Sequence, residues 1–370
     1  MEKKSILFFC PTFSAGGVEK VFVNLANYFA ENNYSTSFLV CQHIGILDSQ
    51  LNEKVEIFSL KKRLSKSLFQ AIKFFKSNNF DFVVTGPQFV SILSVLVIKF
   101  LLRKKTKLII THHSFYDLDV KTMPILHLSY KYLVVFFYRY ADVVIAVSNA
   151  VKNHLIADVG IDEKMIKVIY NPVISLDFDS LKEEAFSHKW FSSETDLKII
   201  VCVGRLSKIK NQEALIKLMP LVIKEVNCKL LLIGDGEEKQ SLQKLIYELQ
   251  LDSYIDILGA VENPIKYIKQ ANLLVLPSFS ETFSLVAVES IAVGIPVLST
   301  PTLGVLEILK DCKGCFFEEI EKRESFADNI ITILNSNGEY VDSEYVKKFT
   351  INNIGKLYED TILTSEPRYK

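Results

Sequence analysis

The chain has 370 residues, 49% of them hydrophobic and 23% charged, with 43 basic and 43 acidic side chains. That length is more than one core usually serves, so two domains of ordinary globular composition are expected. Zero net charge excludes a partner chosen by the overall field, and no nucleic-acid partner is expected.

The first strand is read at Ser5 to Phe9, with no cleavage pattern before it, so no signal peptide is expected. A loop, Pro11-Thr-Phe-Ser-Ala-Gly16-Gly17, follows it, then a helix with Val18, Val21, Phe22, Leu25 and Phe29 at helical spacing. Strand, glycine turn and helix suggest a phosphate or sugar site, because glycine lets backbone approach a ligand closely. The spacing is not Gly-x-Gly-x-x-Gly, so a nicotinamide enzyme is disfavoured. The alternation continues through strands at 37–40, 55–60 and 81–85 and helices near 65–76 and 89–102, to a strand at 108–111 that ends in His112-His113. Repeated strand–helix units predict a doubly wound parallel sheet, whose ligands bind beyond the carboxyl ends of the strands. The two histidines therefore fall where chemistry is expected.

Residues 1–170 hold 21 basic against 13 acidic side chains, concentrated at Lys61-Lys62-Arg63-Lys66 and Arg103-Lys104-Lys105-Lys107. Such clusters are either solvated helix ends or a basic face toward anionic lipid. The uncharged run at residues 82–98, which no other exceeds in length, is broken by Gly86-Pro87 and falls short of the ~20 apolar residues a spanning helix needs. A helix at 124–140, with only Lys131 and Arg139 charged, is expected to be buried or to sit in a membrane surface. Strands at 142–147 and 166–170 complete the first half, and the polar stretch to Asp196 reads as an interdomain linker. Asp117-x-Asp119 and Asp177-x-Asp179 are expected to be surface carboxylates rather than metal ligands. Six scattered cysteines suggest a reducing, cytoplasmic setting, and Cys312 and Cys315 are expected to be structural.

The alternation restarts with a strand at 199–203 and then Gly204-Arg205-Leu206-Ser-Lys208-Ile-Lys210-Asn211-Gln212. Arg205 and Lys210 leave the strand end together and can both reach an anion. Cations placed there stabilise the charge released when a sugar–phosphate bond breaks. The strand at 229–233 leads into Gly234-Asp235-Gly236, and strands follow at 254–258, 273–276 and 296–300. At Leu276-Pro277-Ser278-Phe279-Ser280-Glu281-Thr282-Phe283-Ser284-Leu285 a strand turns into a helix expected to begin just after Glu281. Its free amides, residues 282–285, would face a ligand, with Glu281 at the mouth and Glu289 about two turns along. One acid could then reach a sugar and the other a ribose, with a diphosphate between.

Pro277-Ser278, Glu281-x7-Glu289 and Ala292-x-Gly294-x-Pro296-Val297 resemble the donor-site signature of retaining glycosyltransferases of family 4. The likeness covers essentially the whole chain, most closely from Ala141 to Glu307, and departs at Thr282 and Ser284, where glycines are common. It implies a GT-B fold: an N-terminal Rossmann-like domain at 1–172, joined by a C-terminal helix at about 346–370, a linker at 173–197, and a nucleotide-sugar-binding domain at 198–345, facing a cleft. It implies transfer of a hexose or N-acetylhexosamine from a nucleoside diphosphate sugar, expected to be UDP-linked, to a glycan or lipid-linked acceptor, without a metal or other cofactor. Arg205 and Lys210 would hold the diphosphate, with Gly204 beside them. Glu281 would contact sugar hydroxyls and Glu289 the ribose. Gly234 and Gly236 would lie near the base and ribose. His113, through Thr111-x-His113, would line the reacting end with Gly16 and Gly17, and His112 is the lesser candidate. A nucleotide-sugar epimerase and a non-catalytic binder of the same fold are the alternatives.

Overall fold

A computed structural model describes residues 3–115, 127–191, 196–336 and 341–365, the side chains of 127–131 excepted. The chain divides into two compact units. One runs to Pro172 and regains the chain from Thr350, and the other is Val173–Phe349.

The N-terminal unit is built on β1 (Ser5–Cys10), β2 (Ser35–Val40), β3 (Glu56–Ser59), β4 (Phe82–Thr85), β5 (Lys107–His112), β6 (Val143–Ala146) and β7 (Ile166–Val168). They form one parallel sheet in the order β3-β2-β1-β4-β5-β6-β7. Ile6 to Cys10 of the central strand are wholly buried. A parallel strand covered by helices on both faces reads as an unbroken apolar run, and this one does.

The helix Gly17–Glu31 buries Val21, Phe22, Leu25 and Phe29. The last helix, Ile351–Thr364, lies against it: a Cβ on Gly355 would meet the Tyr28 ring at 2.7 Å, and Tyr34 donates to Glu359 at 2.8 Å. The end of the chain therefore belongs to the N-terminal unit. The helix described at His127–Tyr138 does not take the first of its two expected settings, burial all round. It buries Val134 and Tyr138 but leaves Tyr132, Leu133 and Phe136 exposed.

The C-terminal unit carries β8 (Lys198–Val203), β9 (Cys228–Ile233), β10 (Ile255–Gly259), β11 (Leu273–Leu276), β12 (Val297–Ser299) and β13 (Cys315–Phe317). They form a parallel sheet in the order β10-β9-β8-β11-β12-β13. Its core joins Ile200, Leu230, Leu232, Val275 and Leu298 to Leu215, Met219 and Phe326 of flanking helices.

The polar stretch expected as a linker is not free chain. It holds a helix, Phe178–Glu183, and is tied to the rest of the unit. Lys269 pairs with Glu183 at 2.6 Å, Lys266 with Glu184, and Asn263 donates to the Leu181 carbonyl at 2.8 Å. These partners lie some eighty residues downstream, out of reach of local pattern reading. No helix among the described residues is long and apolar enough to cross a membrane.

Candidate active site

In each sheet the order reverses direction beside the first strand, between β1 and β4 and between β8 and β11. Loops leaving such a switch point diverge and open a crevice outside the carboxyl ends of the strands.

In the C-terminal unit the loops after β8 and β11 meet there. The Phe279 amide donates to the Ile209 carbonyl at 2.9 Å. Lys210 Nζ donates to Glu281 Oε1 at 2.6 Å, and Ser278 Oγ donates to the same oxygen at 2.8 Å. Ser278 is itself held by Thr300, whose hydroxyl donates to the Ser278 carbonyl. The Gly304 amide donates to the Glu281 carbonyl at 3.0 Å. Glu281 is thus fixed from three neighbouring strand ends and is only 7% exposed. Arg205 is exposed and makes no ion pair among the described residues. Its backbone is pinned by Gln212, which donates to the Arg205 carbonyl at 2.9 Å. One cation is therefore balanced by a carboxylate and the other is free to meet an anion.

The helix starts later than expected. It runs Leu285–Ala292, and Thr282 and Phe283 belong to the loop. Ser284 is its N-cap, at φ +72 and ψ 89. The free amides are consequently those of 284 to 287 rather than 282 to 285. Glu289 lies just over one turn into the helix and is 1% exposed. The late start has a visible cause: the loop must carry Glu281 to Lys210 and bury Phe283, which packs edge-on against Phe349 at 5.4 Å. The hydroxyl of Ser284 is buried with no hydrogen-bond partner among the described residues.

Gly234 and Gly236 have a reason for being glycine within the protein itself. A Cβ on Gly234, at φ +149, would lie 1.9 Å from the Gly204 carbonyl oxygen, and one on Gly236 would lie 2.3 Å from that of Leu206. The loops after β8 and β9 are thus packed backbone to backbone, and this holds Arg205 at its place on the edge. The family resemblance had implied only a nearby ligand as the cause.

In the N-terminal unit, Gly16 caps the helix that begins at Gly17, and a Cβ on Gly16 would meet only the mobile end of Glu19. His112 is the last residue of β5 and His113 the next. Gly86, beyond β4, lets this edge close up: a Cβ there would meet Val18 at 2.8 Å, Phe22 at 3.0 Å and Thr111 Oγ1 at 3.1 Å. His112 is buried and bonded through Nδ1 to the Tyr138 hydroxyl at 3.2 Å, so it is a packed core residue. His113 is half-buried, edge-on to Phe22, with Nε2 2.8 Å from Thr111 Oγ1. If the Thr111 proton goes to the Thr85 carbonyl, 3.3 Å away, Nε2 must carry the His113 proton. Burial first, and the neighbouring imidazole second, push the pKa of each histidine down; the second contribution comes from His154 for His112 and from His112 for His113. Both fall to about 3. His113 is therefore neutral near pH 7, able to hydrogen-bond a ligand but not to serve as a cation.

Asp177 and Asp179 are exposed, and Asp179 pairs with Lys182 at 2.5 Å. Asp117 and Asp119 lie outside the described residues. Cys312 and Cys315 are free thiols. No group of three or more candidate metal ligands occurs among the described residues.

A switch point with a free guanidinium, a lysine held by a buried carboxylate and an open helix head suits a phosphorylated ligand rich in hydroxyls. Comparison with known proteins gives the class. Residues 15–174 match the Glycosyltransferase Family 4 model and residues 184–352 the Glycosyl transferases group 1 model. The chain belongs to the family 4-like glycosyltransferases of GT-B fold.

It is 31% identical over 224 residues to an uncharacterised glycosyltransferase of Methanocaldococcus jannaschii, covering 58% of this chain and 57% of that one. It is 28% identical over 205 residues to a Campylobacter jejuni N-acetylgalactosamine-N,N'-diacetylbacillosaminyl-diphospho-undecaprenol 4-alpha-N-acetylgalactosaminyltransferase, covering 55% and 54%. The matched stretch thus spans little more than half the length of these relatives. The fold matches that of Anabaena HepE, solved in complex with UDP and glucose, with TM-score 0.80, 19% identity and coverage of 98% of this chain and 100% of the other.

Proposed function

We propose that the protein transfers a hexose or N-acetylhexosamine from a UDP-sugar, with retention at the anomeric carbon, to a glycan or lipid-linked acceptor of surface-polysaccharide synthesis. The observation that carries this reading is the free Arg205 beside the Lys210–Glu281 pair at the β8/β11 switch point. Names among the relatives support the donor and acceptor classes: HepE is solved with UDP and glucose, and the Campylobacter enzyme acts on a diphospho-undecaprenol acceptor.

In the proposed step the bond between the anomeric carbon and the diphosphate oxygen breaks. Negative charge gathers on the diphosphate, where Arg205, Lys210 and the amides at 284–287 oppose it. Lys210 has three donors, and Glu281 takes one of them. The bonds from Lys210 and Ser278 both go to Glu281 Oε1, so Oε2 can meet a sugar hydroxyl. We assign Glu289 to the ribose, and Gly16, Gly17 and the neutral His113 to the acceptor side. The acceptor hydroxyl attacks from the face the diphosphate leaves, and its proton passes to the departing oxygen. In this reading fixed cations do the work of a metal.

The test is a panel of UDP-sugars incubated with the purified protein, with and without lipid-linked and oligosaccharide acceptors, and read by mass spectrometry. Acceptor-dependent product, insensitive to EDTA and lost in Arg205→Ala, is expected. Donor converted equally well without acceptor would point to an epimerase, and no turnover with any donor would overturn the reading.

A further inference from the structure

One basic segment of the N-terminal unit takes no part in the site above. Between Ile57 and Phe80 there are six cations, Lys61, Lys62, Arg63, Lys66, Lys73 and Lys76, and no carboxylate. All six are exposed, and none forms an ion pair among the described residues. Elsewhere on the surface Lys54 pairs with Glu31 and Lys152 with Glu163.

The segment is anchored chain. Leu60 and Lys62 donate to the carbonyls of Val40 and Cys41 at 2.9 and 3.0 Å, and Ser67 Oγ closes a turn onto Leu64 at 2.7 Å. The helix that follows, Leu68–Ser77, buries Ala71 and Phe75. Its outer stripe is Phe69, Lys73 and Lys76, at i, i+4 and i+7. Phe69 is 81% exposed, and Leu68 beside it is 37% exposed. An aromatic left in water at the head of a helix whose outer stripe is otherwise cationic is the pattern of a helix lying in a charged interface.

We infer that residues 61–76 dock the N-terminal unit on an anionic lipid surface, with Phe69 entering the acyl boundary and the six cations meeting headgroup phosphates. Charge alone would suit nucleic acid equally, and the exposed Phe69–Leu68 pair favours the bilayer. The loop at 61–66 leaves the carboxyl end of β3, and the sheet is parallel, so it lies on the edge that carries Gly17 and His113. Docking there would bring that edge to the membrane, where a lipid-linked acceptor is found. This deepens the proposed function and rests on it for its purpose, but the binding itself does not depend on turnover.

The test is co-sedimentation of the full chain with vesicles of equal parts phosphatidylglycerol and phosphatidylcholine, against phosphatidylcholine alone. UDP affinity is measured on the same samples as a check on folding. Binding only to the anionic vesicles is expected, weakening with salt, because exposed charges are screened over about 8 Å at physiological ionic strength. Phe69→Ser and the triple change Lys61→Gln, Lys62→Gln, Arg63→Gln should each weaken it at least tenfold with UDP affinity unchanged. No binding to anionic vesicles, binding that both variants retain, or binding to duplex DNA in preference to vesicles would each overturn the inference. A protein that sediments as expected but transfers no sugar would refute the proposed function and leave the docking surface standing.

Discussion

Replacing Ser284 by glycine should make the protein more stable, which is unusual for a change beside an active site. Ser284 holds φ at +72, where a side chain costs about 1–2 kcal/mol. Its hydroxyl is buried without a partner among the described residues, a desolvation penalty of about 1–3 kcal/mol. Glycine removes both and costs about 0.4–1 kcal/mol in extra freedom of the unfolded chain. The balance favours Ser284→Gly by at least about 1 kcal/mol, or roughly 2–4 °C in Tm for a unit of this size. Urea unfolding at constant slope measures it through the midpoint. Ser284→Ala separates the two contributions, because it removes the hydroxyl and keeps the strained Cβ, so it should recover only part of the gain. A midpoint that falls or stays fixed for Ser284→Gly would refute the reading that Ser284 is held at a strained φ with an unsatisfied hydroxyl.

Gly234→Ala should do the reverse. The new Cβ would sit 1.9 Å from the Gly204 carbonyl oxygen at a φ that alanine resists, so a loss of about 3 kcal/mol or more is expected in the same urea experiment. Acid should weaken the N-terminal unit through its histidines. The folded pKa values of His112 and His113 lie near 3 and the unfolded value near 6.5, so between these limits the unfolded chain binds more protons. Their contribution to stability is fully present above pH 6.5 and is lost progressively as the pH falls toward 3. Urea midpoints at pH 7, 5.5 and 4.5 read the slope, and His112→Phe should flatten it.

Much of the architecture was legible because it rests on local pattern. The unbroken apolar runs of β1, β8 and β11, each followed by glycine or proline and a helical stripe, are enough to predict parallel doubly wound sheets. Arg205, Lys210 and Glu281 stood out because they leave strand ends. That Lys210 and Glu281 bind each other was not legible, since the contact joins residues 71 apart through two loops. The helix start was misplaced for a similar reason. From sequence, Phe283 reads as the first apolar position of a helix, whereas in the fold it is a loop residue buried against Phe349. Ser278, Thr300 and Gly304, which fix Glu281, carry no motif that names them; Pro277-Ser278 was visible only as a turn. β13 was missed because three half-buried residues on a sheet edge give no periodicity.

The central claim is that Arg205, with Lys210, holds the diphosphate of the donor. Calorimetric titration of UDP into the wild-type protein and Arg205→Ala tests it most directly. Arg205 is exposed and unpaired among the described residues, so its removal should leave the unfolding midpoint unchanged. A lost charge-assisted hydrogen bond is worth about 1.5–3 kcal/mol, so UDP affinity should fall roughly ten- to a hundredfold. Equal affinity in the two proteins, both folded, would contradict the account.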